Sequence, residues 1–200
     1  MSLAARIAAH FEDSARLKLA CIDVLGGPIA RAVELAVAAL SADRKLMACG
    51  NGGSAADAQH LAAELVGRFE RERPELAAIA LTTDSSILTA VANDYSFDEV
   101  FARQVRALGQ AGDVLVAIST SGNSANVLAA VQAARERGIR VIALTGRGGG
   151  RIAALLGEQD VHLCVPHERT MRIQEVHLLI VHCLCDGIDA ALLGDDGNPS

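Results

Sequence analysis

Four hydroxyls, an amide and a glycine occupy six consecutive positions of this chain, Ser119, Thr120, Ser121, Gly122, Asn123 and Ser124. They follow the apolar run Val114–Ile118 and lead into SANVLAAVQAARERG, a segment with helical spacing. A strand end that runs into a helix N-terminus leaves backbone N–H groups pointing outward at the positive end of the helix dipole, so an anion placed there meets donors. Neutral hydroxyls finish such a cradle. A turn that only caps a helix needs one hydroxyl, and here there are four. A second glycine-rich turn, Gly50-Asn51-Gly52-Gly53-Ser54, also opens into a helical pattern. Its glycines allow close backbone approach to a ligand, and Ser54 can cap or donate.

Ionisable groups form the other constellation. His60 and Glu64 are four apart on the pattern that follows Ser54, hence on one helix face, where they can hold one metal or shuttle one proton. A surface His–Glu pair is the plain alternative. The run RIQEVHLLIVH sets Gln174, His177 and His182 in an otherwise apolar stretch, where burial without partners is costly. Gln174 and His182 lie about 12 Å apart along a helix axis. They either converge on a point between them or serve different sites across a subunit interface. His177 reads equally well as a histidine satisfied by a backbone carbonyl. His60, Glu64, Gln174 and His182 together make an N/O donor set that zinc or a similar divalent ion accepts, although neutral Gln is an uncommon zinc ligand. His10, His162 and His167 lack such company. Cys183 and Cys185 are too closely spaced for a usual zinc pair on one helix and read as core.

These residues need a scaffold, and the hydrophobic pattern predicts one. Apolar runs at Lys45–Cys49, Ala77–Leu81, Val114–Ile118, Val141–Leu144 and Val161–Val165 read as strands. Helical patterns cover Ser54–Arg68, Phe97–Leu108, Ala125–Arg137 and Thr170–Leu193, with a shorter connection from Gly148 onward. Strands alternating with helices predict an α/β chain whose parallel sheet is covered on both faces, with ligands beyond the carboxyl ends of the strands. Before the first strand, residues 1–40 read as two helices broken at Gly26-Gly27-Pro28, the first long enough to pack on another subunit. Residues 41–194 read as the α/β core with its final helix, and residues 195–200 as a frayed tail; 1–200 is one domain.

Composition narrows the function. With 51% hydrophobic residues the chain can bury a substantial core, and its apolar runs look too short to span a bilayer. The first residues show no apolar leader, and an odd number of cysteines, five, suits a reducing cytoplasm. A net charge of −6 with 2% aromatics supplies neither the basic stripe nor the stacking rings of a nucleic-acid reader.

GNGGSAADAQH, ELVGRFERERP, ALTTDSSILTAVANDYSFDEVF, AISTSGNSANV, ALTGRGGG and RIQEVHLLIVHCLCDGID, in this order, resemble the bacterial phosphoheptose isomerases of the sugar isomerase (SIS) fold, from about Cys49 to Ala190. The resemblance implies a three-layer α/β/α sandwich of flavodoxin-like or Rossmann-like type around a five-stranded parallel sheet. It implies a homotetramer with sites at subunit interfaces, which converts sedoheptulose 7-phosphate to D-glycero-D-manno-heptose 7-phosphate on the way to lipopolysaccharide core. By motif, Asn51, Gly52 and Gly53 would touch the sugar, Asn93 and Asp94 its hydroxyls, and Ser119, Thr120, Ser121 and Ser124 the phosphate. His60, Glu64, Gln174 and His182 match the zinc positions, one ion per subunit, with Gln174 and Glu64 also at the substrate. Glu64 and His182 match the acid/base pair. Met171 stands where some members carry an acidic residue.

The chemistry asked for is a proton moved between C1 and C2 through an enediol, for which a carboxylate at the carbon and an imidazole at the carbonyl oxygen suffice. ANDYSFDEVFARQVRALG and HCLCDGID also resemble the tetrameric SIS proteins that bind the bacterial replication initiator. Those relatives lack the carboxylate and the last histidine at the positions of Glu64 and His182. This chain has both, so the isomerase is the expectation and the scaffold its alternative.

Overall fold

The computed structural model describes residues 1–194, and the expected frayed tail at 195–200 lies outside the described residues. In chain order the elements are α1 (Leu3–Ser41), β1 (Leu46–Cys49), α2 (Gly53–Val66), β2 (Ala78–Ala80), α3 (Ser85–Asp94), α4 (Val100–Leu108) after a 3-10 turn at Phe97–Glu99, β3 (Val114–Ser119), α5 (Ala125–Glu136), β4 (Arg140–Gly146), α6 (Gly150–Leu155), β5 (Val161–Val165) and α7 (Thr170–Leu193). The strands form one parallel sheet in the order β2-β1-β3-β4-β5.

Because successive strand side chains point to opposite faces, the sheet builds two cores. Leu46, Ala48, Val114, Val116, Ile118, Ile142 and Leu144 face the layer of α1, α2 and α7. Met47, Cys49, Leu115, Ala117, Val141 and Ala143 face the layer that contains α4 and α5. Every residue of β3 is buried, as a central strand covered on both faces requires. This is the expected α/β/α sandwich. The chain runs outward from β1 to β2, then returns to lay β3 on the other side of β1. The carboxyl ends of β1 and β3 therefore flank the switch point where open sheets hold ligands.

Three expectations need correction. The first 40 residues are not two helices: α1 runs unbroken through Gly26, Gly27 and Pro28. Proline removes one backbone donor, but the buried stripe of Leu17, Cys21, Leu25, Ala32, Ala36 and Ala39 stays in phase across it, because Leu25 and Ala32 are seven apart. Packing against α7 and β5 overrides the local break. Secondly, α3 fills the stretch between the Ala77–Leu81 run and Phe97, for which the hydrophobic pattern predicts no element. Asp84 caps it by accepting from the Ile87 N–H at 2.8 Å. Thirdly, α1 and α7 do reach the length and mean hydropathy, 1.5 and 1.7 over their most apolar windows, that a bilayer span requires. Here each turns a buried stripe to the sheet.

Candidate active site

The two glycine- and serine-rich loops sit side by side at the carboxyl ends of β1 and β3, and they are tied together. Asn51 Nδ2 donates to Asn126 Oδ1 at 2.9 Å, and Asn126 Nδ2 donates back to Asn51 Oδ1 at 2.8 Å. Asn126 is buried on α5. Each amide uses one N–H and one acceptor site in this ring, so half-buried Asn51 keeps one donor and one lone-pair direction for a ligand.

The β3 loop carries its hydroxyls to the N-terminus of α5. Ser124 occupies the N-cap of α5 yet makes no side-chain bond to the first turn. Its hydroxyl instead lies 3.0 Å from Ser119 Oγ. The Ser124 side chain therefore does not cap the first turn, whose N–H groups remain open to another acceptor. Ser121 Oγ accepts from the Asn123 N–H, and Asn123 Oδ1 accepts from the Arg151 N–H at the start of α6. Gly122 has φ +65°, and a Cβ there would lie 1.9 Å from the Gly149 carbonyl oxygen, so only glycine fits between these loops. Thr120 and Ser121, in the same turn, are half-buried.

The ionisable constellation lies where α2 and α7 pack. His60 Nε2 is 3.0 Å from Glu64 Oε1, and the His60 and His182 rings meet edge-on with centroids 5.1 Å apart. Phe69, which sequence reasoning did not single out, also packs on His182, with ring centroids 5.8 Å apart. Gln174 sits at a different level: its amide lies against Gly53, where a Cβ would meet Nε2 at 2.6 Å. Gly53 is seven residues, about 10 Å, before His60 on α2. One chain thus brings His60, Glu64 and His182 together and places Gln174 nearer the β1 loop. Asn93 and Asp94 end α3, exposed and hydrogen-bonded to each other at 2.8 Å.

The spacing of the α2 and α7 donors suits a divalent ion only in part. Two donors each about 2 Å from one ion stand roughly 3 Å apart, which is the spacing of His60 Nε2 and Glu64 Oε1. Among the described residues no three His, Cys, Asp or Glu side chains already stand in metal-holding geometry. The pair therefore has the spacing of two ligands of one ion, and the His182 ring stands beside it with its centroid 5.1 Å from that of His60. Asp57, one turn before His60, is a further group the sequence reading passed over. Its Oδ2 is buried without a partner, and burial raises its pKa against the opposing pull of His60.

The remaining histidines behave as structural groups. His177 is fully buried, and its Nε2 donates to the Thr145 carbonyl at 3.0 Å, the plain reading given above. Burial pushes its pKa down to about 4. His162 Nε2 lies 2.7 Å from Thr145 Oγ1, His10 Nδ1 takes a bond from buried Arg172, and His167 Nδ1 accepts from the Arg169 N–H. All five cysteines are free; Cys183 is only half-buried, whereas Cys185 is buried on α7 as expected. Burial, then the charges of Glu64 and Asp189, push its thiol up to about 12, with Arg73 opposing.

Comparison with known proteins agrees with this geometry. The SIS domain family model matches residues 9–146. The phosphoheptose isomerase of Aromatoleum aromaticum is 68% identical over 194 residues, covering 97% of this chain and 98% of that one. A solved phosphoheptose isomerase from Neisseria gonorrhoeae superposes with TM-score 0.90 at 60% identity, over 94% of this chain and all of that one. One from Francisella tularensis gives 0.92 at 45%, covering 94% and 99%. The paired loops at β1 and β3, the α2–α7 constellation and these full-length identities lead to one assignment: the chain belongs to the SIS-domain family, among the phosphoheptose isomerases.

Proposed function

We propose that this chain interconverts sedoheptulose 7-phosphate and D-glycero-D-manno-heptose 7-phosphate, an aldose–ketose isomerisation that supplies lipopolysaccharide core precursors. The observation that carries the reading is the 68% identity to a phosphoheptose isomerase over nearly all of both chains. The Ser119–Ser124 loop offers the phosphate four hydroxyls and the N-terminus of α5. Asn51, Gly52, Gly53, Asn93, Asp94 and Gln174 would contact the sugar. Binding at the phosphate, away from the reacting carbons, supplies energy for placing them.

Glu64 takes the proton from C1 of the ketose and returns it to C2, while His182 gives a proton to the carbonyl oxygen at C2 and receives one from the hydroxyl at C1. The net change is zero in protons and electrons. His60, Glu64, Gln174 and His182 are the residues we assign to one zinc ion per subunit, whose Lewis acidity would polarise the substrate carbonyl. Gln174 joins this set across a subunit boundary or by closing toward His182. The exposed apolar side chains of α1, among them Ile7, Phe11, Leu19 and Ile22, are the surface we assign to a homotetramer. Free cysteines fit a cytoplasmic protein.

The alternative, a scaffold for the replication initiator, is not favoured: relatives at 63–68% identity are phosphoheptose isomerases. The test is turnover of sedoheptulose 7-phosphate by the purified protein, metal-stripped or zinc-loaded, beside Glu64→Gln and His182→Ala. We expect turnover by the wild type and a loss of at least about a hundredfold in both variants. No turnover by zinc-loaded wild type would sink the assignment.

A further inference from the structure

Arg73 lies in the charged run Glu70-Arg71-Glu72-Arg73-Pro74, which reads as solvated surface, yet its side chain is 1% exposed. All three guanidinium nitrogens are engaged. Nε donates to Asp189 Oδ1 at 2.6 Å and Nη2 to the Glu64 carbonyl at 2.7 Å. Nη1 donates to the carbonyls of Leu65 and Pro74 at 2.9 and 3.1 Å. Glu64 and Leu65 belong to the last turn of α2, whose carbonyls have no partner within the helix. Asp189, 4% exposed, stands on α7 two turns beyond His182 and so on the same helix face. The clamp therefore joins the end of α2 to α7 just past the level where His60, Glu64 and His182 face one another.

We propose that Arg73 and Asp189 are positioning residues for the isomerisation: anchored by Asp189, the Arg73 fork fixes the last turn of α2 and with it the aim of the Glu64 carboxylate toward the substrate carbon beside His182. The inference rests on the acid/base assignment of Glu64 and His182. A buried ion pair is weak evidence of a device for stability, since apolar side chains of similar volume often replace one without loss. This pair is also incompletely satisfied, because Asp189 Oδ2 is buried with no partner. What it does supply is direction. A guanidinium aims its donors from one plane, here at three carbonyls and a carboxylate, which a point charge such as lysine cannot do. Proton transfer from carbon is sensitive to such placement, and an error of about 1 Å costs about a hundredfold in rate.

The test compares the wild type with Arg73→Lys, which keeps the charge pair but loses the fork, and with Arg73→Met/Asp189→Leu, which replaces the pair by apolar volume. Unfolding temperature, kcat and KM for sedoheptulose 7-phosphate are read for each, and Glu64→Gln is run alongside. Positioning predicts kcat lowered roughly ten- to a hundredfold in both clamp variants, with KM within about twofold of wild type and the fold retained. A folded double variant with wild-type kcat, beside an inactive Glu64→Gln, overturns the positioning role and leaves the acid/base assignment standing. Wild-type kcat in Glu64→Gln overturns both. Arg73→Lys reads the same way should the double variant be too unstable to purify.

Discussion

Asn51 and Asn126, 75 residues apart in the chain, close a ring of two amide hydrogen bonds of 2.9 and 2.8 Å that joins the β1 loop to the first turn of α5. The loop proposed to touch the sugar and the loop proposed to hold the phosphate are thereby set at a fixed distance. Replacing Asn126 by Leu keeps the approximate volume and removes both bonds, leaving the Asn51 amide without its partner. We expect a stability loss of about 1–3 kcal/mol in urea unfolding, together with a raised KM. Unchanged stability and KM in Asn126→Leu would show that the amide ring does not hold the loops.

Ser124 gives a further prediction. An N-cap serine that bonds its own helix costs about 0.5–2 kcal/mol when changed to Ala. Ser124 makes no such bond, and what its hydroxyl supplies to the free protein is the one hydrogen bond with buried Ser119, so Ser124→Ala should cost about 0.5–1.5 kcal/mol of stability through Ser119 rather than through the helix. Its KM for the sugar phosphate should rise roughly tenfold, because a hydrogen bond to a charged group contributes about 1.5–3 kcal/mol. An unchanged KM in Ser124→Ala would remove the Ser124 hydroxyl from the phosphate site and leave it as the partner of Ser119 alone.

His177 makes the fold sensitive to acid. Its pKa falls from 6.5 unfolded to about 4 folded, so the unfolded state binds more protons between these values. The stability it contributes is present above pH 6.5 and is lost as pH falls toward 4. Between pH 7.5 and pH 5 the loss from this group is about 2 kcal/mol. Urea unfolding at the two pH values should show that the decline shrinks by this amount in His177→Gln, whose amide can still donate to the Thr145 carbonyl. An equal decline in both proteins would remove His177 as the cause.

The parts of the fold legible in the sequence were those where one local signal ruled. Continuous apolar runs marked β3 and β4, and the density of hydroxyls after Ile118 marked the anion loop. α3 was missed because none of its ten residues is buried, so no apolar face stood out from its polar neighbours. The break expected in α1 followed from Gly26-Gly27-Pro28 alone, while the evidence against it, a stripe in phase from Leu17 to Ala39, spans the whole helix. Within the site, the i,i+4 rule was enough to pair His60 with Glu64. Arg73 and Asn126 stayed hidden because their partners are distant in sequence, and because charged and amide side chains ordinarily face water.

The backbone contact between Gly122 and Gly149 also bears on how a substrate is received. Two loops from neighbouring strands abut with no room for even a methyl group, and the Ile152 N–H closes on the Gly122 carbonyl at 2.9 Å behind them. Backbones packed this closely leave the two loops little room to rearrange around a guest. The conformational entropy of arranging their donors is lost when the chain folds, so association is spared that loss and more of the contact energy remains for affinity.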